Sequence, residues 1–314
     1  MSRLLCVALA AALACMSMAS PARAGQTVRL TASFSPDRLG AGTTIRVGFR
    51  VAYPSGVAPL PATELQLFLP PGLGIATSEL GLQNCLLSQL VQEGRAGCPT
   101  NSLMGHGSAV TAVPFGSRFV IERTGIALFS GPLQDGLPQL LFVAVGEYPV
   151  IAEVIFGALV LPAGPRFGGL IDTTLPLVPS VPDGPDVALL GLETTIGPAG
   201  IVYRENVGGK VVSFRPRGIL LPKSCPHGGF PFAVHLSFSD GSGAGANATV
   251  PCPRNRRRRS PGAARHHPAK RGHSSRSTHP RPRATGANDP QIWYHSEHRS
   301  DRRQGDLVKV PATL

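Results

Sequence analysis

Between Thr27 and Val250 the chain keeps returning to one pattern, apolar and polar residues alternating with a period of two. Such alternation marks strands with one face in a core. Val28, Leu30, Ala32 and Phe34 alternate with Thr27, Arg29, Thr31 and Ser33. After a turn at Pro36–Gly42, Ile45, Val47, Phe49 and Val51 repeat the pattern, and Glu64–Leu69 predicts a third strand stopped by Pro70-Pro71-Gly72. Strands are next expected at Ser108–Val113, Phe119–Leu128, Gln139–Val145 and Val150–Leu161, with a turn at Leu133–Gly136 and a bulge at Gly157. Gly168–Thr174, Val187–Thr195, Ile201–Arg204 and Lys210–Arg215 give shorter segments, and Pro176–Pro185 reads as a crossover. The clearest unit is a hairpin near the end of this region. Phe230, Phe232, Val234, Leu236 and Phe238 alternate with small or polar residues, Ser239–Gly243 supplies turn chemistry, and Ala246–Val250 returns.

The period changes once. Leu86, Leu87, Leu90 and Val91 fall on one helical face, with Asn84 as an N-cap and Gly94 as a stop. The expectation is a short helix capping one end of the core. About twelve half-polar strands belong to antiparallel sheets, so the fold class is all-β. The architecture expected is an antiparallel β-sandwich, Ig-like or jelly-roll-like, of one lobe or two, over residues 25–253.

Cysteine spacing adds a covalent frame. Cys6 and Cys15 lie in an N-terminal stretch with a basic start at Arg3, an apolar run from Leu4 and an Ala22-Arg23-Ala24 cleavage pattern. That stretch reads as a signal peptide over residues 1–24, cut between Ala24 and Gly25. It is short for a membrane span, and the Leu of Ala12-Leu13-Ala14-Cys15 sits one place late for a lipobox. The mature chain, with no transmembrane segment, is expected to be secreted. The remaining four cysteines form an even set, for which three pairings are formally possible. Local pairing, Cys85 with Cys98 and Cys225 with Cys252, brackets the helix and the last hairpin and is favoured in an oxidising compartment. Zinc is excluded by spacing, since neither pair is C-x₂₋₄-C.

Charge divides the chain in two. The net charge of +12 resides almost wholly beyond Pro253: from Arg254 to Leu314 fifteen Lys and Arg face four Asp and Glu, whereas residues 25–252 hold 13 basic and 14 acidic residues. The tail, 254–314, is rich in Arg, Ser, Pro, Gly and His and reads as disordered. Arg254, Arg256, Arg257, Arg258 and Arg259 would bind polyanions weakly and without sequence readout; anionic cell-envelope polymers are the partners this suggests. The near-neutral body has no bulk charge for such a partner.

Catalytic chemistry is sparse. Gly105-His106-Gly107-Ser108-Ala109 is not G-x-S-x-G and reads as a Gly-rich turn after the first disulfide. His227-Gly228-Gly229 reads as a tight turn, and His235 as an outward-facing strand residue. Asp183 and Asp186 flank Gly184-Pro185, where Asp serves turn geometry; two carboxylates fall short of a calcium site. Asn247-Ala248-Thr249 is a glycosylation sequon. No catalytic set, cofactor or metal site is expected. A secreted hydrolase using His106 or His227 is the alternative, and an envelope-adhering protein using its tail is another.

Four stretches carry a family resemblance: Phe34-Ser35-Pro36 through Thr44, Cys98-Pro99-Thr100-Asn101-Ser102 through Ala109, Pro176–Val187, and Pro216–Phe238 with Cys225-Pro226-His227-Gly228-Gly229-Phe230-Pro231-Phe232, closing on Val250-Pro251-Cys252-Pro253. Over residues 26–253 the chain resembles uncharacterised secreted proteins of high-GC Gram-positive bacteria. The resemblance implies secretion and a β fold, and brings no activity, ligand or catalytic residue. The functional expectation is a non-enzymatic binding or structural protein outside the cytoplasm.

Overall fold

The computed structural model describes residues 25–75, 83–149, 151–197, 201–253 and 308–311. In chain order the strands are β1 (Thr27–Ser35), β2 (Gly42–Ala52), β3 (Ala62–Leu69), β4 (Gly74–Ile75), β5 (Leu103–Phe115), β6 (Arg118–Ser130), β7 (Gln139–Val145) and β8 (Ala152–Pro162). There follow β9 (Gly169–Thr174), β10 (Ala188–Ile196), β11 (Tyr203–Val207), β12 (Lys210–Phe214), β13 (Ile219–Leu220), β14 (Phe230–Phe238), β15 (Gly243–Val250) and β16 (Val308–Pro311). Among the described residues one α-helix, α1 (Leu87–Glu93), interrupts them.

All the strands but two form one continuous, mostly antiparallel ladder, β15-β14-β3-β9-β8-β7-β6-β5-β10-β2, with β1 and the short β13 also on β2, while β11 and β12 pair only with each other in a separate hairpin. The sheet curls until β1 comes alongside β15, so the wall is nearly closed. Curling follows from right-handed strand twist and removes exposed edges. Residues 25–253 make one compact body. The last hairpin forms as the alternation predicts: Phe230, Phe232, Val234, Leu236 and Phe238 are all buried and His235 is exposed. Phe34 of β1 packs edge-on against Phe230 at 5.2 Å between centroids, so this flank of the interior is filled by aromatic rings.

Both cystines pair locally. Cys85–Cys98 has its Cα atoms 4.9 Å apart, and Cys225–Cys252 closes the base of the last hairpin at 5.8 Å. The helix sits elsewhere than expected. Leu90 and the Cys85–Cys98 bridge pack on the outer face of β6–β8, against Ala127, Phe129, Leu141, Val143 and Ile155. This small second core explains why Ile126–Ser130 and Gln139–Val143 are buried without alternation: the wall is covered on both faces there. The N-cap position belongs to Leu86, whose N–H donates to Gln89 Oε1; Asn84 instead accepts a hydrogen bond from the Ser130 hydroxyl.

Two further expectations are corrected. Gly157 pairs with Leu141 in unbroken register, and the register shifts fall at Leu103/Gly105, Leu189/Gly191 and Ser237/Phe238. Gly105–Ser108 lies inside β5 rather than in a turn. A Cβ on Gly107 would stand 2.8 Å from Thr194 Cα, so this glycine lets β5 and β10 approach closely. In the basic tail, Val308–Pro311 forms β16, parallel to Ala152–Ile155 of β8; the rest of residues 254–314 and the leader lie outside the described residues.

Candidate ligand-binding cavity

The interior is solid on the side of β1, β2 and β14 and hollow between β3 and β5–β10. Inward-facing residues leave two cavities, of about 160 Å³ and about 260 Å³. The first reaches the end of the wall where the loops 146–151 and 175–187 lie, and includes Gly146, Pro176 and Val187 in its lining. The second reaches the opposite end, lined there by Pro70, Pro138 and Gly168. Ile171 of β9 and Ile196 of β10, each 4% exposed, line both. The two chambers therefore meet at these isoleucines.

The lining is apolar except for one group of residues. Thr111 of β5 and Glu122 of β6 are direct cross-strand partners a few residues from the hairpin tip, and both face the first cavity. Thr124, Thr173 and Thr194 lie deeper. The Thr173 hydroxyl donates to Gly157 O at 2.7 Å, and that of Thr194 lies within donating distance of His106 O and Thr195 O. Thr111 Oγ1 is buried with no hydrogen-bond partner. Glu122 is 5% exposed and is the acidic residue that the described linings include; among the described residues no Lys, Arg or His contributes to them. Small side chains, Ala109, Ala144 and Ala152 among them, keep the space open where larger residues would fill it.

Exposed apolar side chains gather on the segments that frame the first chamber's end: Phe115, Phe119, Tyr148, Ile151, Leu177 and Val181. A soluble surface seldom groups so many without use.

The residues singled out by sequence lie away from this space. His106 is exposed on β5 and lines a shallow outer depression with Arg46, Ser108, Glu193 and Thr195. Its hydrogen bonds run through the backbone to the Thr195 hydroxyl, and among the described residues none joins the imidazole to Ser108 or Glu193. A nucleophile–base pair needs that contact. His227 stands in a tight turn in which Gly229 N–H donates to Pro226 O, with Gly228 and Gly229 at φ 85° and 99°. Asp183 takes φ 57° in the 175–187 loop, and Asp186 bridges to Pro179 through the backbone. Asn247 and Thr249 are exposed on β15. Gly25 is the first described residue; Ala24, Arg254 and Arg256–Arg259 lie outside the described set. Sequence reasoning missed the cavity because Thr111, Glu122 and the small residues carry no motif. The one local signal was Glu122 standing where an inward residue of a regular strand falls, two before Thr124 and four before Ile126.

Compared with known proteins, the chain matches no family model, no curated protein and no solved structure.

Proposed function

We propose that this chain is a non-enzymatic binding protein that works outside the cytoplasm and holds an apolar small molecule inside its β wall. The observation that carries the reading is the hollow half of the interior. Native cores are packed to crystal density, and voids larger than a water molecule are few. A largely apolar cavity with a few polar groups, here a polar pair at the outer end of the first chamber, is the usual form of a small-molecule site. A largely apolar cavity gains by taking an apolar guest, because the guest's apolar surface leaves water. The exposed apolar residues around the first chamber are what such a guest would meet first.

Export is supported by the signal-peptide pattern of residues 1–24 and by two disulfides, which persist in oxidising compartments. No described helix is long and apolar enough to cross a membrane.

The test is binding of an environment-sensitive apolar fluorophore to the mature chain and to Ala144→Phe. Ala144 lines the first chamber, so a ring at this position fills it. The wild type should bind and brighten the dye, and Ala144→Phe should lose at least about tenfold in affinity while keeping the far-ultraviolet signature of β-structure. Wild-type protein that binds no apolar probe would overturn the reading.

A further inference from the structure

We infer that the edge of β8 at Ala152–Ile155 is an acceptor site for an extended peptide, that its occupant is the chain's own segment Val308–Pro311, and that filling it closes the wall beside the first chamber. The acceptor site stands on the sheet alone; its control of entry rests on the apolar-ligand reading above.

The site comes from the divergence of two neighbouring strands. β9 pairs with β8 only from Leu159↔Asp172 to Pro162↔Gly169. Next to that ladder the Thr173 hydroxyl donates to Gly157 O, and among the described residues none of the 175–187 loop pairs with β8. β7, by contrast, follows β8 as far as Glu153. The first half of β8 is thus paired with β7 on one side and left by β9 on the other. Backbone groups of a strand alternate between its two sides. Gly146 N–H donates to Ala152 O, and Val160 N–H to Pro138 O, so the even-numbered residues of β8 serve β7. Glu153 and Ile155 therefore aim their N–H and C=O groups at the side that β9 has left, and such an edge is a template for another strand. The same stretch bounds the first chamber. Ala152, Val154 and Phe156 line it from β8, and Leu175, Pro176 and Val178 line it from beyond β9.

β16 suits this edge in sequence as well as in place. It lies parallel to β8 in the register Val308↔Ala152, Lys309↔Glu153, Val310↔Val154 and Pro311↔Ile155. In a parallel ladder so registered, Val310 N–H faces Glu153 O, and Ile155 N–H faces Val310 O. Pro311, which has no N–H to give, holds a position whose nitrogen faces away from β8, where an edge strand tolerates proline. The register sets Lys309 opposite Glu153, a pair of opposite charge, and sets valines opposite Ala152 and Val154, two residues of the chamber wall. Alternation, charge and the place of the proline all agree with this one edge. Fifty-four residues separate Pro253 from Val308, ample chain to bring the segment there. Adding a strand by main-chain bonds, with the side-chain register giving selectivity, is a recurrent way to hold a peptide.

The experiment follows amide hydrogen exchange in the full mature chain by NMR. Glu153 and Ile155 should be protected in the wild type. Val310→Pro removes the N–H that faces Glu153 O and changes no residue of the body, and should speed exchange at Ile155 at least about tenfold. Lys309→Glu should speed it about threefold, and adding Glu153→Lys to that variant should restore the wild-type rate. Equal exchange at Ile155 in the wild type and Val310→Pro overturns the acceptor site. Protection that disappears on dilution assigns the occupant to a second copy of the chain and overturns closure within one molecule. Entry is read separately, by rapid mixing with the apolar fluorophore. Val310→Pro should accelerate its association at least about tenfold, since only the open fraction admits a ligand. Faster exchange with unchanged association overturns the control of entry and keeps the strand. Wild-type protein that binds no fluorophore removes the cavity reading and the control of entry with it, while the exchange rates still decide the acceptor site.

Discussion

Asp240 begins the turn between β14 and β15, and its carboxylate accepts a hydrogen bond from Ser242 N–H at 2.9 Å. Hydrogen bonds from the Ser242 side chain, then from its backbone, hold the carboxyl below its ordinary value of 3.8. A lowered folded-state value means that the stabilisation is present above the unfolded value and fades as pH falls through the folded one. Asp240→Ala should therefore melt below the wild type at neutral pH, and the difference should shrink at a second, acidic pH well below the ordinary carboxylate value. Thermal melts at the two pH values check this; an equal deficit at both would assign the effect to the turn backbone. Sequence made this turn legible, because Ser239–Gly243 needs nothing but local chemistry. Gly105 and Gly107 show the reverse: their composition suggested a turn, whereas what they serve is the close approach of β10, a strand some 90 residues away in the register Thr194↔Gly107. Short-range rules have no term for that contact.

At the scale of elements, helix α1 depends on what lies beneath it. Seven residues are too few to be stable alone in water, so its stability comes from tertiary packing. Leu90, fully buried against the outer face of β6–β8, is the anchor. Leu90→Ala should cost about 3 kcal/mol in denaturant unfolding, while Leu86→Ala, at a position 46% exposed, should change stability by less than about 0.5 kcal/mol. Comparable losses at both positions would mean that the helix packs on a different face. Helical period and the bracketing cysteines revealed the element. They carried no information about which surface it covers, because the buried runs of β6 and β7 read equally well as the interior of any sheet.

For the whole molecule, the intact mass of the protein isolated from its native source, taken before and after reduction, should correspond to a start at Gly25 and differ by the hydrogens of two disulfides. A retained leader or free thiols would contradict export through an oxidising compartment. Ligand binding belongs to this scale too, since it draws on strands from β3 to β10 at once. The sequence by itself determined most of the strands, the last hairpin, a four-cysteine frame in which local pairing is favoured, and the contrast between a neutral body and a basic tail. Each of these depends on neighbours within a few residues, or on pairing across one short loop. Only the tertiary structure decided that all the strands but β11 and β12 join one nearly closed wall, that the helix lies outside it, and that Thr111, Glu122, Ile171 and Ile196 share a hollow interior. The reason is physical: alternation tells a residue that it faces inward, but whether that interior is filled or empty depends on the summed volumes of side chains from strands far apart in the chain.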